Sequence, residues 1–468
     1  MIFKWTFMKN EPSTINTSRV ATRWHLTIAF VLAIQFSAMA QETLTLSQAI
    51  NNAIANKKNI QAGRADQTIR KLQTEALYRK YGPQVSAAYT YLYNPILQTS
   101  ILPIGVFNQS YPADATKSIQ FGTKWSQTAG LTLNQPLVDM SITRQINEAK
   151  LEERITAASQ AQTEYDLAYT VAQVYIDINL QETKIRSAIA DTSRTWISYQ
   201  LLQNKFDQKR LLKSDLNKAR INHNNAIQQY RNAISQQIED KVYLSFLTGR
   251  NDIEHPDITI DTAFFKNERL VSFNVEPNVS SIPEIQQLEL KGDLTAIQTK
   301  TEKAKYLPAA SIKGFIGANQ YTNSFDPFAA NSWFGQSYIG IDLKYPLLSG
   351  EDKHRKLQQL QLQSTQYYQQ KDDKAAQYLK DGLIAKIRME QLLSELKVQE
   401  ENRALSIESI GIFQARVSEG QESSANLNLE EADLQKLDAG YQSNRMQYWL
   451  YYLDYLKATG KLEILWKK

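Results

Sequence analysis

Polar and apolar positions alternate with period two in a few short stretches of this chain and follow helical spacing over most of the rest. Ile339, Ile341, Leu343 and Tyr345 interleave with Gly340, Asp342 and Lys344, so a strand there has one apolar and one polar face. Leu131 and Leu133 against Thr132 and Asn134 read the same way. Strands are predicted over about 84–93, 121–135, 309–321 and 336–345. The third is the least regular, because Lys313, Phe315 and three small residues share it. Met140 to Lys209 contains neither Pro nor Gly, so about 70 residues can run as one helix roughly 105 Å long. The return leg from Leu211 to Leu247 covers roughly 55 Å, about half that distance. The opening helix, Ser47 to Tyr81, supplies the remainder if it stacks end to end on the return leg.

The pattern occurs twice. Tyr81-Gly82-Pro83 returns as Tyr306-Leu307-Pro308, each time closing a helix and opening a strand, with Pro as the stop. Gly130 to Leu137 returns as Gly340 to Leu347 after 210 residues; Leu216-Asn217 returns as Leu427-Asn428 and Thr248-Gly249 as Thr459-Gly460 after 211. The chain therefore reads as a leader (1–40), a first repeat (41–249, with a helical hairpin over 140–249), a linker (250–281) and a second repeat (282–468, with a hairpin over 351–460 and a short tail). In the second repeat the descending helix is expected to break at Gly382 and to turn near Gly420, with Ile285 to Tyr306 as the stacked helix.

Four strands in so long a chain are too few for a soluble sandwich and cannot close a barrel, and an open sheet edge cannot sit in lipid. Three chains would give twelve strands and twelve helices in cross-section. The fold class expected is mainly α with a membrane β-barrel: a tandem-repeat protomer whose trimer forms a 12-stranded β-barrel continuous with a 12-helix α-barrel. Thr132, Asn134, Asp342 and Lys344 would then face a water-filled lumen, and Leu131, Leu133, Ile341 and Leu343 would face lipid. Aromatics near the strand ends, among them Tyr89, Tyr91, Trp125, Phe325, Phe328 and Trp333, suit an interfacial girdle.

Export is read from the N-terminus. Leu26 to Phe36 is an apolar run of about eleven residues, preceded by Arg19 and Arg23 and followed by Ala38-Met39-Ala40, which predicts a signal peptide cleaved after Ala40. A membrane helix would need about 20 apolar residues. Translation starts at Met1 or, given the long stretch before Arg19, at Met8. The 53 basic and 48 acidic residues are balanced and scattered, which argues against nucleic acid as a partner. The chain has no cysteine, so disulfides, thiolate metal sites, cysteine nucleophiles and lipidation of an N-terminal cysteine are excluded.

Leu44-Thr45-Leu46-Ser47-Gln48-Ala49-Ile50-Asn51-Asn52-Ala53 resembles the opening helix signature of TolC-like outer membrane efflux proteins, the outer membrane factors. The Tyr-x-Pro strand entries, Pro136-Leu137, Pro346-Leu347 and Arg416-Val417-Ser418-Glu419-Gly420 are similar to further motifs of that family, in the same order and duplicated. The resemblance covers about Gln41 to Gly460. It implies a passive exit duct of a tripartite efflux or secretion system: a homotrimer in the outer membrane of a Gram-negative bacterium, extending into the periplasm. Its open end would dock a periplasmic adaptor (membrane fusion protein) and an inner-membrane pump of RND, ABC or MFS type. Docking falls on the helical turns at Lys209, Arg416 and Gly420, and Asp215 and Asn426 stand at the aperture positions. Three features depart from the family pattern: many members carry a lipidated N-terminal cysteine and this chain has no cysteine, Lys209 occupies the tip position usually held by glycine, and Asn426 the place where some members have aspartate.

No catalytic function is expected. His223, His255 and His354 form no zinc-protease pattern, no phosphate-binding loop occurs, and Met140, Met389 and Met446 are too few to line a soft-metal path. Glu430 and Glu431 read as a solvated or paired helix face. No cofactor is expected, and energy must come from a partner. The alternative reading is a periplasmic coiled-coil adaptor or scaffold, which would leave the duplicated strands unexplained.

Overall fold

The computed structural model describes residues 43–104, 110, 112, 114–250, 258–266, 277–326, 333–347 and 352–467. The expected leader, His255, Phe328 and much of the linker lie outside the described residues. The main elements in order are α1 (Leu46–Asn56), α2 (Lys58–Tyr78), β1 (Gln84–Tyr93), β2 (Gln98–Pro103), β3 (Thr116–Phe121), β4 (Trp125–Val138), α3 (Met140–Asp207), α4 (Lys213–Thr248), α5 (Pro283–Ala304), β5 (Ala309–Thr322), β6 (Trp333–Lys344), α6 (Lys353–Glu419) and α7 (Ser424–Ala458). Among the described residues no helix is long and apolar enough to cross a membrane.

The opening segment is two helices rather than one. Thr45 and Gln48 form a capping box at the start of α1, and Lys57 takes extended backbone (ψ 124°) between α1 and α2. The break coincides with the end of α4. Asn56 Nδ2 donates to the Thr248 carbonyl (3.3 Å) and Lys57 Nζ to the Phe246 carbonyl (3.2 Å), so the segment caps carbonyls that the ending helix leaves open. Gly249 ends α4 in left-handed backbone, where a Cβ would lie 2.9 Å from that of Asn56. The second half repeats the junction: Ser281 Oγ donates to the carbonyl of Gly460 (3.1 Å), itself left-handed, at the end of α7. Both return helices are thus continued end to end by a shorter helix.

Helix α3 is 68 residues and α6 is 67, each roughly 100 Å long. The expected break at Gly382 does not occur. Gly382 is buried, and a Cβ there would meet the Ala458 Cβ at 3.4 Å, so the glycine admits a close approach of α7 without interrupting α6.

Strands β1, β4, β5 and β6 form one antiparallel sheet in that order, so the last strand of the first half pairs with the first strand of the second. Strand β4 runs on through Pro136 to Val138 with a bulge, which accommodates a residue without an N–H. The expectation of only four strands is corrected by β2 and β3, a separate two-stranded ribbon continuing the β1–β4 pair outward. Pro103, Pro112 and the turn-rich stretch between the two strands hide it in the sequence.

Among the described residues three apolar clusters hold the helices together, the smallest joining Leu151, Ala158 and Leu290 between α3 and α5. The largest lies midway along them, around Tyr175, Met389, Tyr448 and Trp449, with the Tyr175 hydroxyl 2.8 Å from both the Leu44 and the Asp261 carbonyl, either of which can accept its one proton. The second, at the end far from the sheet, joins Leu202, Leu216, Ile410, Val417, Leu427 and Leu434.

Candidate functional site

Residues opposite one another across an antiparallel pair share a face. The register therefore gathers the predicted strand residues into two sets. Thr132 lies opposite Ser86 and Phe315, Asn134 opposite Lys313, Asp342 opposite Ser311, and Lys344 opposite Ala309. Ser86 and Thr132 hydroxyls are hydrogen-bonded (2.6 Å), and Lys313 Nζ pairs with Asp342 at 2.8 Å. The other face carries Leu131 opposite Ile316, Leu133 opposite Val85, Ile341 opposite Ile312, and Leu343 opposite Ala310. On that face Leu343 and Ile341 are 76% and 70% exposed, as are Ile339 and Ile316 in large part. Towards the strand ends it changes character: Tyr91 stacks on Trp125, Phe325 meets both edge-on, and the Gln127 amide donates to Gln320 Oε1 (2.8 Å). Among the described residues the outer edges of β1 and β6 have no strand partner.

At the opposite end the two hairpin turns have the same hydrogen-bond pattern. The Lys209 N–H donates to the Phe206 carbonyl (2.8 Å) and that of Arg210 to Lys205 (2.9 Å). Those of Gly420 and Gln421 donate to Val417 (3.2 Å) and Arg416 (2.9 Å). Lys209 has φ 58°, the one left-handed non-glycine among the described residues, and Gly420 has φ 78°. Lysine thus accepts at the first turn the strained geometry that glycine takes freely at the second. The turns lie side by side around a groove of about 470 Å³ lined by Lys205, Arg210, Asp215, Val417, Gly420 and Glu422. Arg416 is exposed beside it. Of the two aperture candidates, Asp215 reaches across: it accepts from Ser424 Oγ (3.2 Å), and its carbonyl accepts from Asn428 Nδ2 (3.4 Å). Asn426 is exposed and donates to Glu422 of its own turn (2.9 Å). With the Ser423 amide it holds the Glu422 carboxyl below the usual range.

Between the apolar clusters runs a buried polar layer. Glu431 is 1% exposed, which corrects its reading as a solvated face. It accepts from Ser198 of α3, whose hydroxyl also takes a hydrogen bond from Gln414 of α6 (3.1 Å). Buried Asp438 pairs with Arg403, and buried Asp191 with Arg194 at 2.8 Å. Burial pushes the Glu431 and Asp191 carboxyls up. The signal was present in the sequence: Leu427, Glu431, Leu434, Asp438 and Gln442 fall on one face of α7, so the acids share the stripe of the leucines. His223 packs against Trp196 and lies 3.2 Å from the Thr195 hydroxyl, whereas His354 is exposed. Among the described residues no group of His, Asp or Glu is arranged to hold a metal ion.

No protein-family model matches the chain, and no curated protein matches it in sequence. Solved structures do. CusC, studied for folding and transmembrane channel formation, superposes with TM-score 0.72 at 13% identity over 89% of this chain and 92% of its own. The CmeC outer membrane channel of Campylobacter jejuni gives 0.70 and 13% over 89% and 85%. The MtrE outer membrane channel of Neisseria gonorrhoeae, in its open state, gives 0.65 and 14% over 89% of both chains. At such identities the likeness is one of fold, and the fold of this chain is that of the TolC-type outer-membrane channels.

Proposed function

We propose that three copies of this chain form a passive channel-tunnel through an outer membrane and the periplasm beneath it, the exit duct of a tripartite efflux or secretion system. The observation that carries this reading is a four-stranded sheet with two unpaired edges and an exposed apolar face, set at one end of helices roughly 100 Å long. In lipid each open backbone group costs several kcal/mol, and pairing β1 of one copy with β6 of the next removes every edge. Exposed Val398, Leu405 and Ile412 on α6, seven residues apart, and Ile189 and Trp196 on α3 offer apolar seams to neighbouring helices.

In this reading Leu131, Leu133, Ile341 and Leu343 meet lipid, and Thr132, Asn134, Asp342 and Lys344 line water. The turns at Lys209, Arg416 and Gly420 receive a periplasmic adaptor and, through it, an inner-membrane pump of RND, ABC or MFS type that supplies the energy. Asp215 and Asn426 border the aperture. The duct itself performs no catalysis. Because the chain lacks cysteine, the assembly is testable by crosslinking. One cysteine in place of Ser337 of β6 is combined in turn with single cysteines along β1. Expected are disulfide-linked oligomers in outer-membrane fractions at alternating β1 positions. Monomers at every position, from protein that reaches the outer membrane, would overturn the trimer.

A further inference from the structure

The side of the first hairpin that faces α7 opens into a cleft of about 660 Å³ between α3, α4 and α7. Four polar atoms of its lining residues are buried without a hydrogen-bond partner: Asp177 Oδ1, Asp240 Oδ2, Gln442 Oε1 and Gln435 Nε2. Gln442 is itself only 4% exposed. A buried acceptor left unpaired is costly, and more so if charged, so three oxygens gathered around one cleft call for a donor. Deeper in the lining, Asp191 and Asp438 are each already engaged by an arginine. Lys184 is the one cation among the lining residues; its charge acts on both Asp177 and Asp240, but among the described residues it closes no salt bridge with either.

We propose that this cleft binds a linear organic polyammonium ion. Its N–H donors would satisfy Asp177, Asp240 and Gln442, and its methylene spacers would lie on Leu180, Ala188, Ala233 and Met446, the apolar part of the same wall. A bare divalent metal suits the cleft less well. Such an ion draws six to eight oxygens to about 2.0–2.6 Å, a cage far smaller than this space, and the apolar wall gives a hydration shell nothing to bond. All of the lining residues belong to one chain.

The test is isothermal titration of the full-length protein in detergent with spermidine, at fixed ionic strength and pH 7.5, with magnesium chloride as the parallel arm. Expected is saturable binding of one spermidine per chain and no saturable heat from magnesium. In the Asp177→Asn/Asp240→Asn double variant the affinity should fall by about tenfold or more, the loss of a charge-assisted hydrogen bond. Gln442→Leu keeps every charge and should weaken binding several-fold, which separates a shaped site from counterion screening. Absence of saturable spermidine binding, equal binding of magnesium, or unchanged affinity in Gln442→Leu and the double variant, each with native elution volume, would overturn the proposal.

Discussion

Asp177 is the residue at which the structure makes its sharpest quantitative demand. Its carboxyl sits between α3 and α4 opposite Asp240, with one oxygen buried and unpartnered. Burial, followed by the Asp240 charge, pushes its pKa from the usual 3.8 to about 6, against a smaller downward pull from Lys184. The folded state therefore holds this proton more tightly than the unfolded chain. Stability from this group is full below about pH 3.8 and is lost as pH rises through about 6. The complete loss at pH 8 is at most about 3 kcal/mol, and water in the cleft screens it to about 1–2 kcal/mol. Asp177→Asn removes the ionisation while keeping the shape. It should raise thermal stability at pH 8, followed by tryptophan fluorescence of the detergent-solubilised protein, and should have a much smaller effect at pH 4.5. Asp240→Asn should reproduce part of the gain by removing the second cause. An equal shift at both pH values, or destabilisation at pH 8, would show that the carboxylate is not held at a cost and would refute the reasoning.

Other perturbations follow from the same geometry. Gly460→Ala forces a Cβ to 2.5 Å from the Asn278 carbonyl oxygen in left-handed backbone, whereas at Gly420 nothing lies within 4 Å. Gly420→Ala should therefore cost only about 1 kcal/mol and Gly460→Ala clearly more, read as loss of urea resistance. Arg403→Leu leaves buried Asp438 without its partner and should destabilise by about 3–5 kcal/mol at pH 8, less after Asp438→Asn is added, as a double-mutant cycle would record. Leu343→Arg should cost about 2–4 kcal/mol if the residue lies at mid-membrane, seen as reduced outer-membrane insertion, while Asp342→Asn should change conductance and leave insertion intact.

Much of this architecture is written locally. A period-two alternation places Thr132 and Leu131 on opposite faces of β4 whatever packs nearby, because successive side chains of a strand diverge. A Pro-free and Gly-free run sets the length of α3, and the turns at Lys209 and Gly420 lie 211 residues apart as the duplication requires. The end-to-end junctions were also legible, since the return legs were too short for the helices they accompany. What packs across a helix was decided by the tertiary structure alone. Gly382 reads as a break until α7 is seen to press against it, and Lys57 reads as helix until the end of α4 needs capping. Glu431 and Asp438 lie on the leucine stripe of α7, but only the closing of three helices decides that Ser198 and Arg403 answer their charge. Charge and periodicity are properties of one segment, whereas the solvation of a carboxylate depends on which surface arrives opposite it, and that surface comes from other helices, 35 positions away for Arg403 and Asp438 and 233 for Ser198 and Glu431.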